Sequence, residues 1–268
     1  MESLQAILKN TTSQTSPSTQ GNRCDECGRK LKIQIDGEEK CWYCEVVLSE
    51  DKQIVASMNL QNEKQKIINL YRGFEDSSFI NPELKKATFN NYKVETKDQI
   101  NALRFCESYV SRFKGDKPEN LFLYGTPGIG KSHLSVSITK ELMKKGIAAA
   151  FIPAPKIFTK IKETWSKNSI ISESEFLRSL ATIDCLVIDD IGTEYRSNKL
   201  DEEDSWAKKK LFEVIDSRVG RSTIYTSNYD PNNLLEMYGE RDFSRMIQHT
   251  TILEMYGQNN RMKNIKEG

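Results

Sequence analysis

Residues 121–132 read LFLYGTPGIGKS, an apolar run that leads into a glycine-rich loop ending in lysine and serine. The loop from Gly125 to Ser132 matches the pattern G-x-x-x-x-G-K-[ST], after a predicted strand and before a helix predicted over 132–145. Its glycines let backbone N–H groups turn toward phosphate oxygens, and the helix N-terminus adds partial positive charge. Lys131 is expected to reach the β and γ phosphates of a nucleotide, and the Ser132 hydroxyl to ligate Mg²⁺. A chance glycine loop is the alternative.

Beyond this loop, short apolar runs alternate with helical patterns. A helix is predicted over about 97–114, and helical patterns separate the first four runs, while two short ones precede the fifth. The runs are LFLY (121–124), IAAAFI (147–152), IDCLVI (183–188), STIYTS (222–227) and TTILEM (250–255). Buried strands that alternate with helices predict an α/β fold, with a parallel five-stranded sheet covered on both faces.

Polar side chains follow two of these runs. Asp189 and Asp190 end a buried strand, where an aspartate is costly unless it has a function. In a phosphate-loop protein Asp189 would hold Mg²⁺, usually through a water, and Asp190 would orient the attacking water; a helix cap is the alternative. Many such enzymes have glutamate at the second position, so Asp190 leaves the hydrolysis rate open. Asn228 is the best candidate to contact the γ-phosphate or the lytic water, although its segment also fits an ordinary turn.

A charged stretch, GERDFSRM at 239–246, precedes the last apolar run. Arg241 and Arg245 are four residues apart, so on a short helix they project to the same side and suit an anionic partner. The alternative is a solvated face on which they pair with Glu240 and Asp242, since most surface ion pairs contribute little.

The composition is that of an ordinary soluble protein. The 268 residues are 37% hydrophobic and 29% charged with a net charge of +1, so any nucleic-acid site must be a local patch. No run approaches the ~20 apolar residues of a membrane span, and the N-terminus lacks the features of a secretory signal. We therefore expect a cytoplasmic protein whose six cysteines form no disulfides, with Cys106 and Cys185 in the core.

The region before the sheet has its own organisation. We assign a disordered polar tail to 1–22, a cysteine module to 23–48, a helix and linker to 49–92 and the α/β domain to 93–268. Two C-x-x-C pairs separated by 13 residues predict a closed tetrahedral zinc site, with a hairpin turning at Asp36-Gly37 between them. A redox C-x-x-C is the alternative. The predicted ligands are Cys24, Cys27, Cys41 and Cys44.

Together, YGTPGIGKSHL, LVIDDIG, TSN and GERDFSRM resemble the AAA+ ATPases and, more narrowly, the DnaC/DnaI helicase-loader family, whose relatives include the transposition helper IstB and the initiator DnaA. The resemblance spans roughly residues 75–265. It implies a P-loop ATPase with ATP and Mg²⁺ as ligands and with slow hydrolysis that DNA stimulates. The ATP-binding residues that it implies are Gly125, Thr126, Pro127, Gly128, Ile129, Gly130, Lys131, Ser132 and His133.

The resemblance also implies a role for the arginine stretch. In such ATPases the nucleotide lies at a subunit boundary, so the protein self-associates through the ATP site and a neighbour supplies an arginine finger to the γ-phosphate. The family pattern puts that finger on Arg245, with Arg241 beside it. Most AAA+ proteins have a helical lid domain after the last strand, but here, as in the loaders, only 257–268 remain. Arg261 is a candidate second nucleotide sensor, with a solvated tail residue as the alternative.

A lysine-rich segment is the candidate DNA site. Seven lysines between 140 and 167 face two glutamates, a local charge of +5. Lys162 and Trp165 are three apart on a predicted helix and join a phosphate contact to a stacking surface for single-stranded DNA. Loaders and initiators insert a helix that tracks single-stranded DNA at this place, and Ser197 and Lys199 are weaker candidates. The alternative is an amphipathic helix with its whole apolar stripe in the core, namely Ile157, Phe158, Ile161 and Trp165.

We therefore predict an ATP-dependent loader of a hexameric replicative DNA helicase. Residues 1–75 hold 10 Lys and Arg against 11 Asp and Glu, which favours a protein partner for the zinc module over nucleic acid. By resemblance that partner is the helicase. One alternative is a transposition helper ATPase like IstB, which would not need the zinc module. Another is a non-hydrolysing, ATP-gated helicase adaptor. This alternative stays possible because Asp190 replaces the more common glutamate.

Overall fold

A computed structural model describes residues 23–29, 32–35, 38–58, 62, 80–115, 117–194 and 202–259. The chain divides into two compact units, Met1–Asn62 and Glu63–Gly268. The first unit contains an antiparallel hairpin of strands β1 (Lys32–Ile35) and β2 (Glu38–Cys41). This confirms the predicted hairpin, while its Asp36-Gly37 turn and the tail at 1–22 lie outside the described residues.

A helix, α1, follows β2 directly and covers residues 42–58. Its first part is a π-helical turn at Tyr43–Val47. It begins well before the expected start at residue 49, so Cys44 lies on the helix. The period of 3.6 that identifies α-helices does not hold in a π-helical turn, which explains why its beginning was not predicted.

The second unit is built on a sheet of five strands, as predicted. The strands are β3 (Asn120–Gly125), β4 (Ala149–Pro153), β5 (Cys185–Ile191), β6 (Ser222–Ser227) and β7 (Thr250–Met255). All neighbouring strands are parallel, in the order β4-β5-β6-β3-β7. Because β3 lies beside β6, and β6 beside β5, the C-terminal ends of these three strands meet at one edge of the sheet.

Helices connect the strands as the alternation predicted. Before β3 come one helical turn, α2 (Pro82–Lys85), a 3-10 turn at Phe89–Asn91 and α3 (Lys97–Arg112). The later helices are α4 (Lys131–Lys144), α5 (Ala154–Glu163), α6 (Glu173–Thr182), α7 (Glu202–Ser217), α8 (Pro231–Tyr238) and α9 (Glu240–Met246). None of the described helices is long and apolar enough to cross a membrane.

Both faces of the sheet are covered. Successive side chains of a strand point to opposite faces, yet residues 185–188 of β5 are all buried. Helices α3 and α4 pack together and against the sheet, while α7 contacts α5, α6 and α9. Cys106 and Cys185 are buried in the core, as predicted.

Candidate nucleotide and metal sites

The glycine-rich loop joins the C-terminal end of β3 to the N-terminus of α4. Gly125 and Gly130 have φ angles of 136° and 107°, which favour glycine. A Cβ atom at Gly125 would lie 1.9 Å from the carbonyl oxygen of Met255, and one at Gly130 would lie 2.4 Å from the ring of Tyr92. A larger residue at either position would displace β7 or Tyr92, so the path of the loop depends on these two glycines.

Lys131 is the first residue of α4 and is only 5% exposed. Its ammonium group donates hydrogen bonds to the carbonyl oxygens of Gly125 (2.9 Å) and Thr126 (3.0 Å) and to Oδ1 of Asn228 (2.8 Å). These three acceptors hold the ammonium group at the loop, and its positive charge also acts to lower the pKa of Asp189.

The acidic pair lies at the end of β5, where a bulge interrupts the pairing with β6 between Ile188 and Ile191. The backbone of Asp190 has a φ of 58°, which is uncommon for a residue other than glycine. Thr226 on β6 holds both acids. Its hydroxyl donates to Oδ1 of Asp189 at 2.6 Å and accepts from the N–H of Asp190 at 2.9 Å.

Asp189 and Ser132 form a candidate magnesium site. Burial, and next the charge of Asp190, raise the pKa of Asp189 to about 6, although hydrogen bonds from Thr226 and Ser132 oppose this shift. A buried carboxylate beside a hydroxyl group offers the hard oxygen ligands that Mg²⁺ prefers, so these residues fit the ion. A bound Mg²⁺ would supply neutralisation of charge on the β and γ phosphates.

Asn228 follows β6 and links the cation to the acidic pair. Its Oδ1 accepts from Lys131, and its Nδ2 donates to Oδ1 of Asp190 over a long 3.5 Å. The order of the strands produces this contact, because β6 lies between β3 and β5. The structure thus brings together Lys131, Asp189, Asp190 and Asn228, which come from three separate strand ends.

Two buried residues that were not predicted support the loop. The Tyr92 hydroxyl and Nε2 of Gln99 both donate to the carbonyl oxygen of Ile129, at 3.1 and 3.2 Å. Gln99 also accepts from the N–H of Thr96 in a capping box that begins α3. The T-x-x-Q spacing of this box is a sequence signal for the helix start. The contact with Ile129, 30 residues along the chain, has no such signal.

His133 lies one turn into α4 and contacts the segment before α3. Its Nε2 is 2.9 Å from the carbonyl oxygen of Thr88, and its ring centroid is 5.3 Å from that of Tyr92. Burial lowers the pKa of His133, which favours the neutral ring. These contacts tie α4 to the preceding segment. Of the remaining predicted loop residues, Thr126, Pro127, Gly128 and Ile129, the last is buried.

Arg245, one of the two predicted arginines, lies at the other end of the sheet. Arg245 on α9 forms an ion pair with Asp216 and lines a pocket together with Asn120, the first residue of β3. The glycine loop instead follows Gly125, the last residue of β3. At ~3.3 Å per residue the two ends of β3 are about 17 Å apart. Arg241 is exposed and does not line this pocket.

The four cysteines of the first unit form a compact cluster. Their Sγ atoms all lie within 4.8 Å of one another, with 3.7 Å between Cys24 and Cys44 and 3.6 Å between Cys27 and Cys41. A tetrahedral site with Zn–S bonds of ~2.3 Å has S···S edges of about 3.8 Å. All four are free thiols, and their spacing fits a zinc ion.

Two of the candidate DNA-binding residues, Lys162 and Trp165, belong to an aromatic cluster at the end of α5. Trp165 is 58% exposed, and its indole N–H donates to Oε2 of Glu173 at 2.7 Å. Trp206 on α7, which was not predicted, meets the Trp165 ring edge-on at 5.6 Å, and the ammonium group of Lys162 lies 5.1 Å from the Trp206 ring centroid. The amphipathic alternative is right for three residues and wrong for Trp165. The three buried ones are Ile157, Phe158 and Ile161.

Three predicted residues, Ser197, Lys199 and Arg261, fall outside the described part of the chain.

Solved structures of other proteins share this fold. The crystal structure of the DnaC helicase loader matches with a TM-score of 0.57 over 66% of this chain and 100% of that chain, at 24% identity. AMPPCP-bound DnaA from Aquifex aeolicus matches with a TM-score of 0.53 over 69% of this chain and 54% of that chain, at 22% identity. These matches show that the chain has the AAA+ fold, with its phosphate loop after β3.

The family follows from the sequence comparisons. The model for the IstB-like ATP binding protein matches residues 78–268, and the chain belongs to this family. The replicative helicase loader DnaC of Escherichia coli (strain K12) is 32% identical over 194 residues, which cover 72% of this chain and 75% of the relative. The DnaC loader of Buchnera aphidicola subsp. Schizaphis graminum (strain Sg) is 30% identical over 161 residues, 59% of this chain and 62% of the relative.

Proposed function

We propose that this chain is an ATP-dependent loader of a replicative DNA helicase and acts in the cytoplasm. The observation that carries the proposal is the site formed by Lys131, Asp189, Asp190 and Asn228. In support, a curated relative that is 32% identical is named a replicative helicase loader. ATP hydrolysis at this site would control binding and release of the helicase.

Each residue of the site has a distinct part in the proposed hydrolysis. The loop N–H groups and Lys131 bind the phosphates, and Ser132 and Asp189 hold Mg²⁺. Asp190 orients the attacking water, and Asn228 keeps that carboxylate near Lys131. Aspartate is one methylene shorter than the more common glutamate, so we expect slow hydrolysis that DNA stimulates.

Two copies of the chain share each ATP site in this proposal. Lys131 lies at the C-terminal end of β3 and Arg245 at its N-terminal end, about 17 Å apart by strand length. This separation favours a contact between the γ-phosphate and Arg245 of a second copy over a contact within a single chain. An arginine finger in such a position is worth ~10³ to 10⁵ in rate. Arg241 is an exposed neighbour that would assist in subunit contact.

Mixing two inactive variants tests this shared site. We expect Lys131→Ala to lose ATP binding and Arg245→Ala to bind ATP without hydrolysing it. Mixed assemblies contain sites in which the intact loop of an Arg245→Ala subunit meets the intact Arg245 of a Lys131→Ala subunit. Phosphate release should therefore reappear on mixing.

The control for this mixture is Arg104→Ala, which removes an exposed arginine of α3 and should leave hydrolysis unchanged. Exchange of subunits is verified by size exclusion of labelled mixtures. Exchange without regained hydrolysis would contradict a shared site and favour the solvated-face interpretation of GERDFSRM.

The first unit would provide the contact with the helicase. We propose that Cys24, Cys27, Cys41 and Cys44 hold one zinc ion, in support of which their Sγ atoms have the spacing of a tetrahedral site. A unit this small depends on its metal for folding. Single-stranded DNA would bind the second unit at Lys162 and Trp165, with Ser197 and Lys199 as further candidates.

Two other functions follow from particular observations. The family description names IstB, which favours a transposition helper. Capture of a hexameric replicative helicase by the purified protein would support the loader over the transposition helper. The short side chain of Asp190 favours a non-hydrolysing, ATP-gated adaptor. Release of phosphate in the presence of single-stranded DNA would exclude the adaptor.

A further inference from the structure

A cationic pocket lies at the N-terminal end of the sheet, beside Arg245. It has a volume of about 180 Å³, against ~30 Å³ for a water molecule, so a phosphoryl group fits. Among the described residues, its lining contains three arginines, Arg218, Arg221 and Arg245, and no carboxylate. Asn120 and Gln248 add neutral polar groups, and Pro118, Ile215 and Val219 are apolar members of the lining.

Arg218 contributes a buried positive charge beneath this pocket. It is 2% exposed, and its guanidinium donates only to neutral oxygens, which are the Thr223 hydroxyl and the carbonyls of Leu180, Ile183 and Ser222. Burial lowers the pKa of Arg218 to about 10, which leaves it charged at neutral pH. Since none of its acceptors carries negative charge, an anion in the pocket would be stabilised.

Arg221 and Arg245 are the exposed members of this set. Arg221 donates to the Thr182 carbonyl at 3.1 Å and lies 3.8 Å from Asp184, while Arg245 pairs with Asp216. Both arginine side chains are more than 40% exposed, and exposed ion pairs of this kind are weak. Either guanidinium can therefore exchange its aspartate for a phosphate oxygen, to which it binds with two parallel N–H donors.

The backbone at the pocket adds an independent observation. Among the described residues other than glycine, only Asp190 and His249 have a positive φ, of 58° and 54°. Asp190 belongs to the nucleotide site, and His249 lines the cationic pocket. Backbone conformations of this kind persist at functional sites more than elsewhere.

We propose that Arg221 acts together with Arg245 on the γ-phosphate of ATP held by the phosphate loop of a neighbouring copy. This inference rests on the proposed shared site and adds a second trans-acting cation to it. Arg245 approaches the phosphoryl group from α9, and Arg221 approaches it from the start of β6. The buried charge of Arg218 favours the anion between them.

The variant Arg221→Gln tests this role. Glutamine keeps a donor for the Thr182 carbonyl but removes the charge. We expect ATP affinity and the melting temperature to stay unchanged while the rate of hydrolysis falls at least about tenfold, less than the ~10³-fold or more of a principal finger. Arg104→Ala serves again as the control. An unchanged rate overturns the inference.

Mixtures distinguish a trans role from a local one. With Lys131→Ala, the Arg221→Gln variant should regain activity, because the Lys131→Ala subunit supplies both arginines. With Arg245→Ala it should regain none, because every subunit then presents an incomplete pair. If Arg221 acted within its own chain, the second mixture would recover activity and the first would not, which would overturn the proposal.

Failure of this inference differs from failure of the shared site. Recovery by Lys131→Ala with Arg245→Ala, together with a normal Arg221→Gln variant, removes only Arg221 from the site. If the mixture of Lys131→Ala with Arg245→Ala recovers no hydrolysis although its subunits exchange, the shared site itself is excluded, and the role of Arg221 with it.

Discussion

Asp189 lies buried between Thr226 and Ser132, and its pKa of about 6 is above the 3.8 of an ordinary aspartate. A protonated carboxyl cannot ligate Mg²⁺, so the ion and the proton compete for this residue. In the presence of a non-hydrolysable ATP analogue, we expect the Kd for Mg²⁺ to rise as pH falls below about 6, by up to roughly tenfold per pH unit. Calorimetric titration at several pH values measures this.

Thr226→Val provides the matched variant for that titration. It keeps the shape of the side chain but removes the hydroxyl that donates to Asp189. Loss of this hydrogen bond raises the pKa further, so the weakening of Mg²⁺ binding should begin at a higher pH. Binding that does not change with pH, or a transition that moves to lower pH in the variant, would show that Asp189 does not ligate the ion.

The residues of the nucleotide site differ in how far the sequence could predict them. Lys131 and Asp189 were predicted because a glycine loop and an acid after an apolar strand are local patterns. Thr226 and Tyr92 were not, because each acts through a contact with a distant segment. A threonine in a strand and a tyrosine before a helix are ordinary residues until the sheet order brings them to the loop.

Among the elements, the strands of the sheet were predicted to within a few residues. β6 and β7 have the bounds of STIYTS and TTILEM, although only β6 of the two is buried along its whole length. The order of the strands and the bulge at Asp190 could not be read in this way, because they depend on pairing across the sheet. The early start of α1 was missed because of its π-helical turn.

The prediction for binding of single-stranded DNA concerns helix α5 and the segment after it. Lys162→Ala combined with Trp165→Ala removes one cation and one exposed ring from the cluster with Trp206. We expect weaker ATP-dependent binding of single-stranded DNA and a salt slope reduced by roughly one unit or less, because one phosphate contact and one stack are lost. Fluorescence anisotropy over a range of salt concentrations measures both.

Lys114→Ala, an exposed lysine beyond α3, is the control for this experiment. Thermal melting verifies that the double variant is folded. We expect it to fold because Trp165, the tryptophan that it replaces, is largely exposed. Unchanged DNA affinity in a folded double variant would show that the aromatic cluster only packs α5 against α7.

At the scale of the whole molecule, the division into two units predicts that zinc binding can be lost while ATP binding is kept. We expect about one zinc ion per chain in the wild type, consistent with one four-ligand site. Cys41→Ser should lose the zinc and the capture of a replicative helicase, yet bind ATP normally, because the phosphate loop belongs to the other unit. Metal content by mass spectrometry, helicase pull-down and nucleotide titration give the three readouts.

Cys106→Ala controls for the loss of a cysteine outside the cluster, and it should keep both the metal and helicase capture. Wild-type protein that carries no metal, or two ions per chain, would contradict the assignment. A Cys41→Ser variant that still captures the helicase would move the docking surface away from the first unit.

The opposite placement of Lys131 and Arg245 along β3 gives the proposed assembly a direction. Each copy has a donor end and an acceptor end, so copies that pack head to tail make heterologous contacts. An open row of copies always has one acceptor without a donor, and only closure into a ring completes every site. Hydrolysis per chain should therefore increase as the row lengthens with protein concentration, and a helicase or DNA strand that gathers copies would act as an activator without touching the nucleotide.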